Sequence, residues 1–530
     1  MVLNRMHNSL LYKALFVISA IALFSCTKED ERLFPDYLCV RLKANPTTLD
    51  PALIVDVDGA RIAAKLYNGL VAFDKNLSPV SDIAESWTIS EDGLNYRFKL
   101  KEEVRFFNGR RVIASDFKYS FERVLDLATR SPRTWVLSRI SGAKEYMDGK
   151  VEHVSGISII RDDEIEISLD EPFAPFLSFL GLTTAYVVPR EEVAKWGADF
   201  SFHGSGTGPF VLDTWNHNQF IAFRANKKYF GEGPKLSGIY YKIVPEDFSA
   251  MVEFEKGGID VLPEVIFSEY KRYADDPKWK KQIKTAPGLN TYYLGFNCEK
   301  KPFNDPRVRK ALSHAIDREK MLSSIMDSRG VSAAGPIPPI LRKFPVREKY
   351  SYDPVKAKKL LKDAGYPDGF SMKIYQTADI ENLNLCQVVQ HYLKDINIRA
   401  DIVQLEWSSF LEAVTKGEAQ SFWLSWWADY PDAENFLFPT FHSTNRGPGG
   451  NRSRFSDNRV DDLLSQAVRV MDDKKRSEMY KQIEEIIIDQ APWIFFWHKS
   501  SVAVCQPWVK GYSVAPIPVM EKWNELRTSH

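Results

Sequence analysis

The chain has 530 residues, 44% hydrophobic and 26% charged, with 70 Lys and Arg against 70 Asp and Glu. That hydrophobic fraction excludes a disordered or fibrous polymer, and the balanced charge provides no basic face for a nucleic-acid backbone. At about 150 residues per core-sized unit, the length allows about three such units. Aromatic residues make up 13% of the chain, a supply that serves contact surfaces and large cores alike.

The N-terminus differs from the rest. Arg5, His7 and Lys13 precede an uncharged apolar run, Ala14 to Phe24. Such a run is too short to span about 30 Å of hydrocarbon and has the length and flanks of a secretory signal. It ends in Leu23-Phe24-Ser25-Cys26, which resembles the bacterial lipobox. That resemblance implies a signal peptide over 1–25, acylation of Cys26 and a membrane anchored through lipid; an ordinary signal with a chance Cys is the plainer alternative. Residues 26–37 read as a tether. Lys28-Glu29-Asp30 also looks like a surface-export signal of some bacterial lipoproteins, so the expected place is the cell envelope, in the periplasmic space, with surface display open. Cys39, Cys298, Cys386 and Cys505 contain no C-x-x-C pair, and their spacing cannot choose between disulfides and buried thiols.

Strand signals dominate the first third. Tyr96 to Leu100 alternates with period two, and Ile157 to Leu169 reads as a hairpin turning at Asp162-Asp163. Phe220 to Phe223 and Ile239 to Ile243 are further strands. Beyond residue 290 helices take over. Asp305-Pro306 and Asp353-Pro354 each place a capping Asp before a Pro at the first helical position. Met372 to Tyr375, a helix from Leu385 to Ile396, and Ile398 to Leu405 form a strand–helix–strand unit of the kind that builds parallel sheets. Two more helices carry Val460 to Met471 and Met479 to Ile487. The fold class is α/β.

Enzyme chemistry finds little support. Gly204-Ser205-Gly206-Thr207-Gly208 lacks the Lys of a phosphate loop and the central Ser of a nucleophile elbow, and reads as a flexible turn between domains. His314 and His391 lie on helices without a second ligand at i+4, and no His/Cys cluster has zinc spacing. The expectation is a protein without cofactor, metal or catalytic residue.

A set of segments points elsewhere. They are Thr48-Leu49-Asp50-Pro51, Leu66-Tyr67-Asn68-Gly69-Leu70, Ala84-Glu85-Ser86-Trp87, Asp92-Gly93-Leu94-Asn95-Tyr96-Arg97-Phe98, and Asn108-Gly109 with Val112-Ile113-Ala114-Ser115-Asp116-Phe117. Gly206-Thr207-Gly208-Pro209-Phe210, Leu294-Gly295-Phe296-Asn297, Arg307-Val308-Arg309-Lys310-Ala311-Leu312, Ala428-Asp429-Tyr430-Pro431-Asp432 and Val509-Lys510-Gly511-Tyr512 follow in order. Together they resemble the family 5 extracellular solute-binding proteins of ABC transporters, the dipeptide- and oligopeptide-binding group. The resemblance implies a two-lobed periplasmic binding protein type II-like fold with an extra domain inserted in the first lobe. It divides the chain into lobe I (38–75, 205–289 and 499–530), an extra subdomain (76–204) and lobe II (290–498). It also implies a monomer that delivers a small peptide to an ABC transporter permease.

The same resemblance, carried residue by residue, nominates a ligand site. Asp429 matches the Asp that pairs the ligand ammonium, and Trp426 and Trp427 match pocket-lining positions. Val57 and Asp58 lie where relatives place cleft residues, and Arg133 stands at an aromatic pocket position, where its planar fork suits a ligand carboxylate. The bland alternatives are a turn-capping Asp429, core tryptophans and a surface Arg. In strand geometry Phe422, Leu424 and Trp426 face one way, and Trp423, Ser425 and Trp427 the other. Oligopeptide binders carry Arg six residues before this Asp; here Trp423 stands there, which leaves carboxylate capture unassigned. The stacked tryptophans also suit a sugar, so an oligosaccharide or metal chelate is the alternative cargo.

Overall fold

The computed structural model describes residues 33–529 apart from 328; the expected signal peptide over 1–25, the expected acylation site Cys26 and residues 27–32 of the expected tether lie outside the described residues. Among the described residues two large sheets and a smaller, four-stranded one organise the chain. The first large sheet has the order Ile283–Ala286, Ser501–Cys505, Val261–Leu262, Leu38–Leu42, Gly238–Ile243, Phe220–Ala225, Phe210–Asn216. Its inner strand Leu38–Leu42 is buried at every position and runs parallel to Gly238–Ile243, Leu38 opposite Ile239. A strand covered on both faces reads as a continuous apolar run rather than an alternation. Helix Val57–Leu66 packs into this core through Ile62, Ala63 and Leu66. Asp56 caps it by accepting a hydrogen bond from the Gly59 N–H.

The second large sheet has the order Gly330–Ser332, Trp493–Lys499, Asn290–Phe296, Ser421–Trp427, Ser371–Thr377, Arg399–Leu405. Ser371–Thr377 and Arg399–Leu405 are parallel, joined through helix Ile380–Lys394, which buries Leu385, Cys386, Val389 and Leu393. The Asp305 and Asp353 caps and their following prolines open helices Pro306–Ala315 and Pro354–Asp363 as the sequence predicts. The small sheet contains the expected hairpin, Ile157–Arg161 against Glu164–Ser168, with Ala84–Ile89 and Asn95–Leu100. Phe98, Ile165 and Ile167 cover helix Ala114–Leu125 from this sheet.

The chain passes twice between the large sheets, at 286–290 and at 499–501. Asn290 is fully buried there. Its side-chain amide donates to the Lys499 carbonyl and accepts from the Lys499 N–H, each at 2.8 Å. That side chain supplies a ladder rung where the two crossings leave their sheets, and it satisfies backbone groups that burial would otherwise orphan. The small sheet's unit also touches the second lobe. Tyr430 packs its ring on Phe179 at 4.5 Å, and the Ala174 N–H donates to the Val468 carbonyl at 2.8 Å.

The glycine run at 204–208 differs from the expected flexible turn. A Cβ on Gly206 would lie 2.1 Å from the Leu66 carbonyl oxygen, and one on Gly208 2.2 Å from that of Lys65. Buried Thr207 donates its hydroxyl to Asn68 at 3.0 Å. Glycine here permits close approach to a helix end rather than motion. Cys298, Cys386 and Cys505 are free thiols. No described helix is long and apolar enough to cross a membrane.

Candidate functional site

Strand Ser421–Trp427 alternates as expected. Phe422, Leu424 and Trp426 pack into one hydrophobic cluster, while Trp423, Ser425 and Trp427 turn to a cavity of about 410 Å3 shared with Tyr292, Asn382 and Trp407. Trp423 is almost fully buried and its indole N–H donates to Asn382 Oδ1 at 3.1 Å. Trp427 is 52% exposed. Trp426 sits on the opposite face and supports the site from behind: its indole N–H reaches Asn435 Oδ1 at 3.3 Å. The same oxygen accepts the Asp429 backbone N–H at 3.0 Å. Asn435, nearly fully buried, therefore fixes the turn that carries Asp429.

Asp429 follows the strand end, where open α/β sheets place ligand contacts. Its side chain is 46% exposed, and the nearest cation is Arg133, with Nη1 3.8 Å from Oδ1. Arg133 also donates from Nη2 to the Val55 carbonyl at 3.2 Å. One guanidinium thus links the small sheet's unit, the segment before helix Val57–Leu66 and the turn from the second sheet. Although much of the carboxylate reaches solvent, the protein crowding it raises its pKa above the ordinary Asp range, and the Arg133 charge pulls it back. The structure therefore brings Asp429 and Arg133 together, as each other's partner.

Val57, the first residue of its helix, is 56% exposed. Asp58 beside it is engaged by Arg61 at 2.8 Å, and Arg61 also holds Glu521 at 3.1 Å. Burial raises the Asp58 pKa, Arg61 lowers it, and Glu264 and Asp56 push it up again. The Glu264 charge also raises Tyr292 on the other lobe, so its field reaches both walls of the cleft. On the Tyr292 side, Glu381 pairs with Lys499 at 3.1 Å. Asn435, Trp407, Glu381 and Lys499 escaped the sequence reading. Trp407 alone left a signal there, a large apolar residue at the exposed start of helix Trp407–Thr415; the other three carry no pattern of their own.

The second large sheet thus carries a cavity walled by indoles and lined by carboxylates, and just past its strand Asp429 meets Arg133 from the small sheet's unit. Residues 78–448 match the bacterial extracellular solute-binding proteins, family 5 Middle. Heme-binding protein A of Haemophilus influenzae is 30% identical over 492 residues, covering 89% of this chain and 88% of that protein. The dipeptide-binding protein of Escherichia coli K12 is 30% identical over 477 residues, covering 85% and 87%. Among solved structures, the unliganded open form of the periplasmic murein tripeptide binding protein MppA superposes with a TM-score of 0.81 at 26% identity, covering 93% of this chain and 98% of that one. DppA from Helicobacter pylori in complex with the peptide STSA gives 0.74 at 28% identity, covering 93% and 98%. The chain belongs to the family 5 extracellular solute-binding proteins of ABC transporters, with the two-lobed type II fold, and it binds a solute for transport rather than transforming one.

Proposed function

We propose that this protein captures small peptides in the cleft between its lobes and hands them to an ABC permease, with Asp429 receiving the peptide's ammonium group. One observation carries the reading: Asp429 is held by Asn435 through its backbone, while among the described residues its carboxylate meets only the 3.8 Å contact from Arg133. A carboxylate placed so firmly and paired so loosely is available to a stronger cation. An ammonium shut into a closing cleft needs such a partner, because an unpaired buried charge costs several kcal/mol. Backbone hydrogen bonds and the terminal pair, common to all peptides, would supply the rest of the affinity. Relatives named for dipeptide and glutathione binding, and a neighbour complexed with Met-Leu, support a peptide.

Arg133 neutralises Asp429 in the empty cleft and gives way to the ligand, while Trp427 and Val57 offer apolar contact on opposite walls. The chain acts as a monomer tethered to the membrane through acylated Cys26, with lobe I over 38–75, 205–289 and 499–530, the extra subdomain over 76–204 and lobe II over 290–498. The exposed indoles of Trp407 and Trp427 favour a second cargo, an oligosaccharide with stacking sugar faces. Native mass spectrometry of the protein purified from cells decides between them. Bound species of about 200–700 Da that fragment as peptides support the first reading; hexose ladders or metal chelates overturn it.

A further inference from the structure

We infer that the cavity lined by Trp407 and Trp427 selects peptides bearing a cationic side chain, lysine or arginine. The inference rests on the peptide reading above and deepens it. The cavity is about 410 Å3 and is walled by Trp407 and Trp427, with Asp379 and Glu381 in its lining. The two indoles are 51% and 52% exposed, a large uncovered aromatic surface on one face of a lobe whose other tryptophans are packed. Indole faces attract cations through their quadrupole. The carboxylates give the same preference. Asp379 uses Oδ1 to cap helix Ile380–Lys394, accepting the Asn382 N–H at 2.9 Å, and Glu381 uses Oε1 on Lys499 at 3.1 Å. Each keeps its other oxygen for a ligand.

The remaining polar groups argue against an anionic or apolar occupant. The Asn382 amide is engaged on both atoms, its Nδ2 on Thr377 Oγ1 at 2.9 Å and its Oδ1 on Trp423. The helix N-terminus is already met by Asp379. Glu381 faces both the Lys499 ammonium and the buried Arg329 guanidinium, so the preference for a cation comes from the indole faces and the remaining carboxylate oxygens rather than from an excess of negative charge. A glutamate side chain would meet two carboxylates, and the Lys499 ammonium there is already paired with Glu381. An apolar one would cover the carboxylates without pairing them, which desolvation penalises.

Calorimetric titration of the purified protein with tri-alanine, and with tripeptides carrying Lys, Arg, Gln, Met or Glu at each position in turn, tests this. At one position Lys or Arg should bind about tenfold or more tighter than Gln or Met, with Glu weakest. Glu381→Gln, which keeps side-chain size and unpairs Lys499, should shrink that preference below about threefold. Exposed Trp407→Ala should weaken Lys and Arg peptides more than tri-alanine. Equal binding of all the peptides, or preference for Glu, overturns the selectivity while leaving the peptide reading intact. Binding of none of them overturns the peptide reading itself.

Discussion

Asp58 and Asp429 both stand beside an arginine, the first on a helix packed on one large sheet and the second just past a strand of the other. Asp58 is bonded to Arg61 at 2.8 Å within its own helix, and Arg61 is shared with Glu521 in a mostly buried cluster that also holds Lys65. Asp429 has a single cation at 3.8 Å, delivered by a chain segment 296 positions away, and a carboxylate nearly half open to solvent. The first pair is local and committed to the fold. The second spans separate bodies of the structure and can be exchanged. Residue type alone cannot tell a structural carboxylate from a receiving one; the count and distance of its existing partners can.

The largest expected effect follows from that difference. Asp429→Ala should weaken peptide binding by about tenfold or more with little change in melting temperature. Asp58→Ala should leave affinity within about twofold and cost about 3 kcal/mol of stability, because it strips one carboxylate from a mostly buried charge cluster. Calorimetry and thermal melts on both variants check this, and the reverse assignment of effects would exchange their roles. Arg133→Ala sharpens the comparison. Removal of the resident cation should leave affinity unchanged or raise it by up to about threefold; a tenfold loss would instead place Arg133 on the ligand's carboxylate.

A separate effect, on stability and not on affinity, concerns the ground behind Asp429. Burial pushes the Glu434 carboxyl up to about 7, with the Tyr430 hydroxyl donating to it and drawing it back, Asp432 raising it, and Arg139 lowering it. Between the ordinary value of 4.5 and about 7 the folded chain therefore binds a proton that the unfolded chain has released. Stability contributed by that proton falls as pH rises through this window, by up to about 3 kcal/mol. Glu434→Gln should flatten the fall in melting temperature between pH 4.5 and about 7. An unchanged slope would remove Glu434 as its source.

Much of the fold was legible because its signals are local. Asp305-Pro306 and Asp353-Pro354 specify helix starts through capping and a fixed φ, and the alternation of 421–427 assigns each indole to a face before any coordinates exist. Asp429 was legible only through family segments, since a lone Asp after a strand has no spacing partner. The meeting of Arg133 with Asp429 was hidden because the two arrive on different elements, and so was Asn435, whose single oxygen serves both Trp426 and the Asp429 turn. Gly206 and Gly208 misled in the opposite direction: local composition shows conformational freedom, whereas the Leu66 and Lys65 carbonyls that press on them come from a helix far back in sequence.

The most direct test of Asp429 as the ammonium acceptor is calorimetric titration of one tight-binding peptide with its N-terminus free and then acetylated, against wild type and Asp429→Ala. Acetylation should weaken wild-type binding by about tenfold or more and make little difference to the variant, because the charge it removes no longer has a partner. Equal wild-type affinity for the free and acetylated peptides would contradict the account.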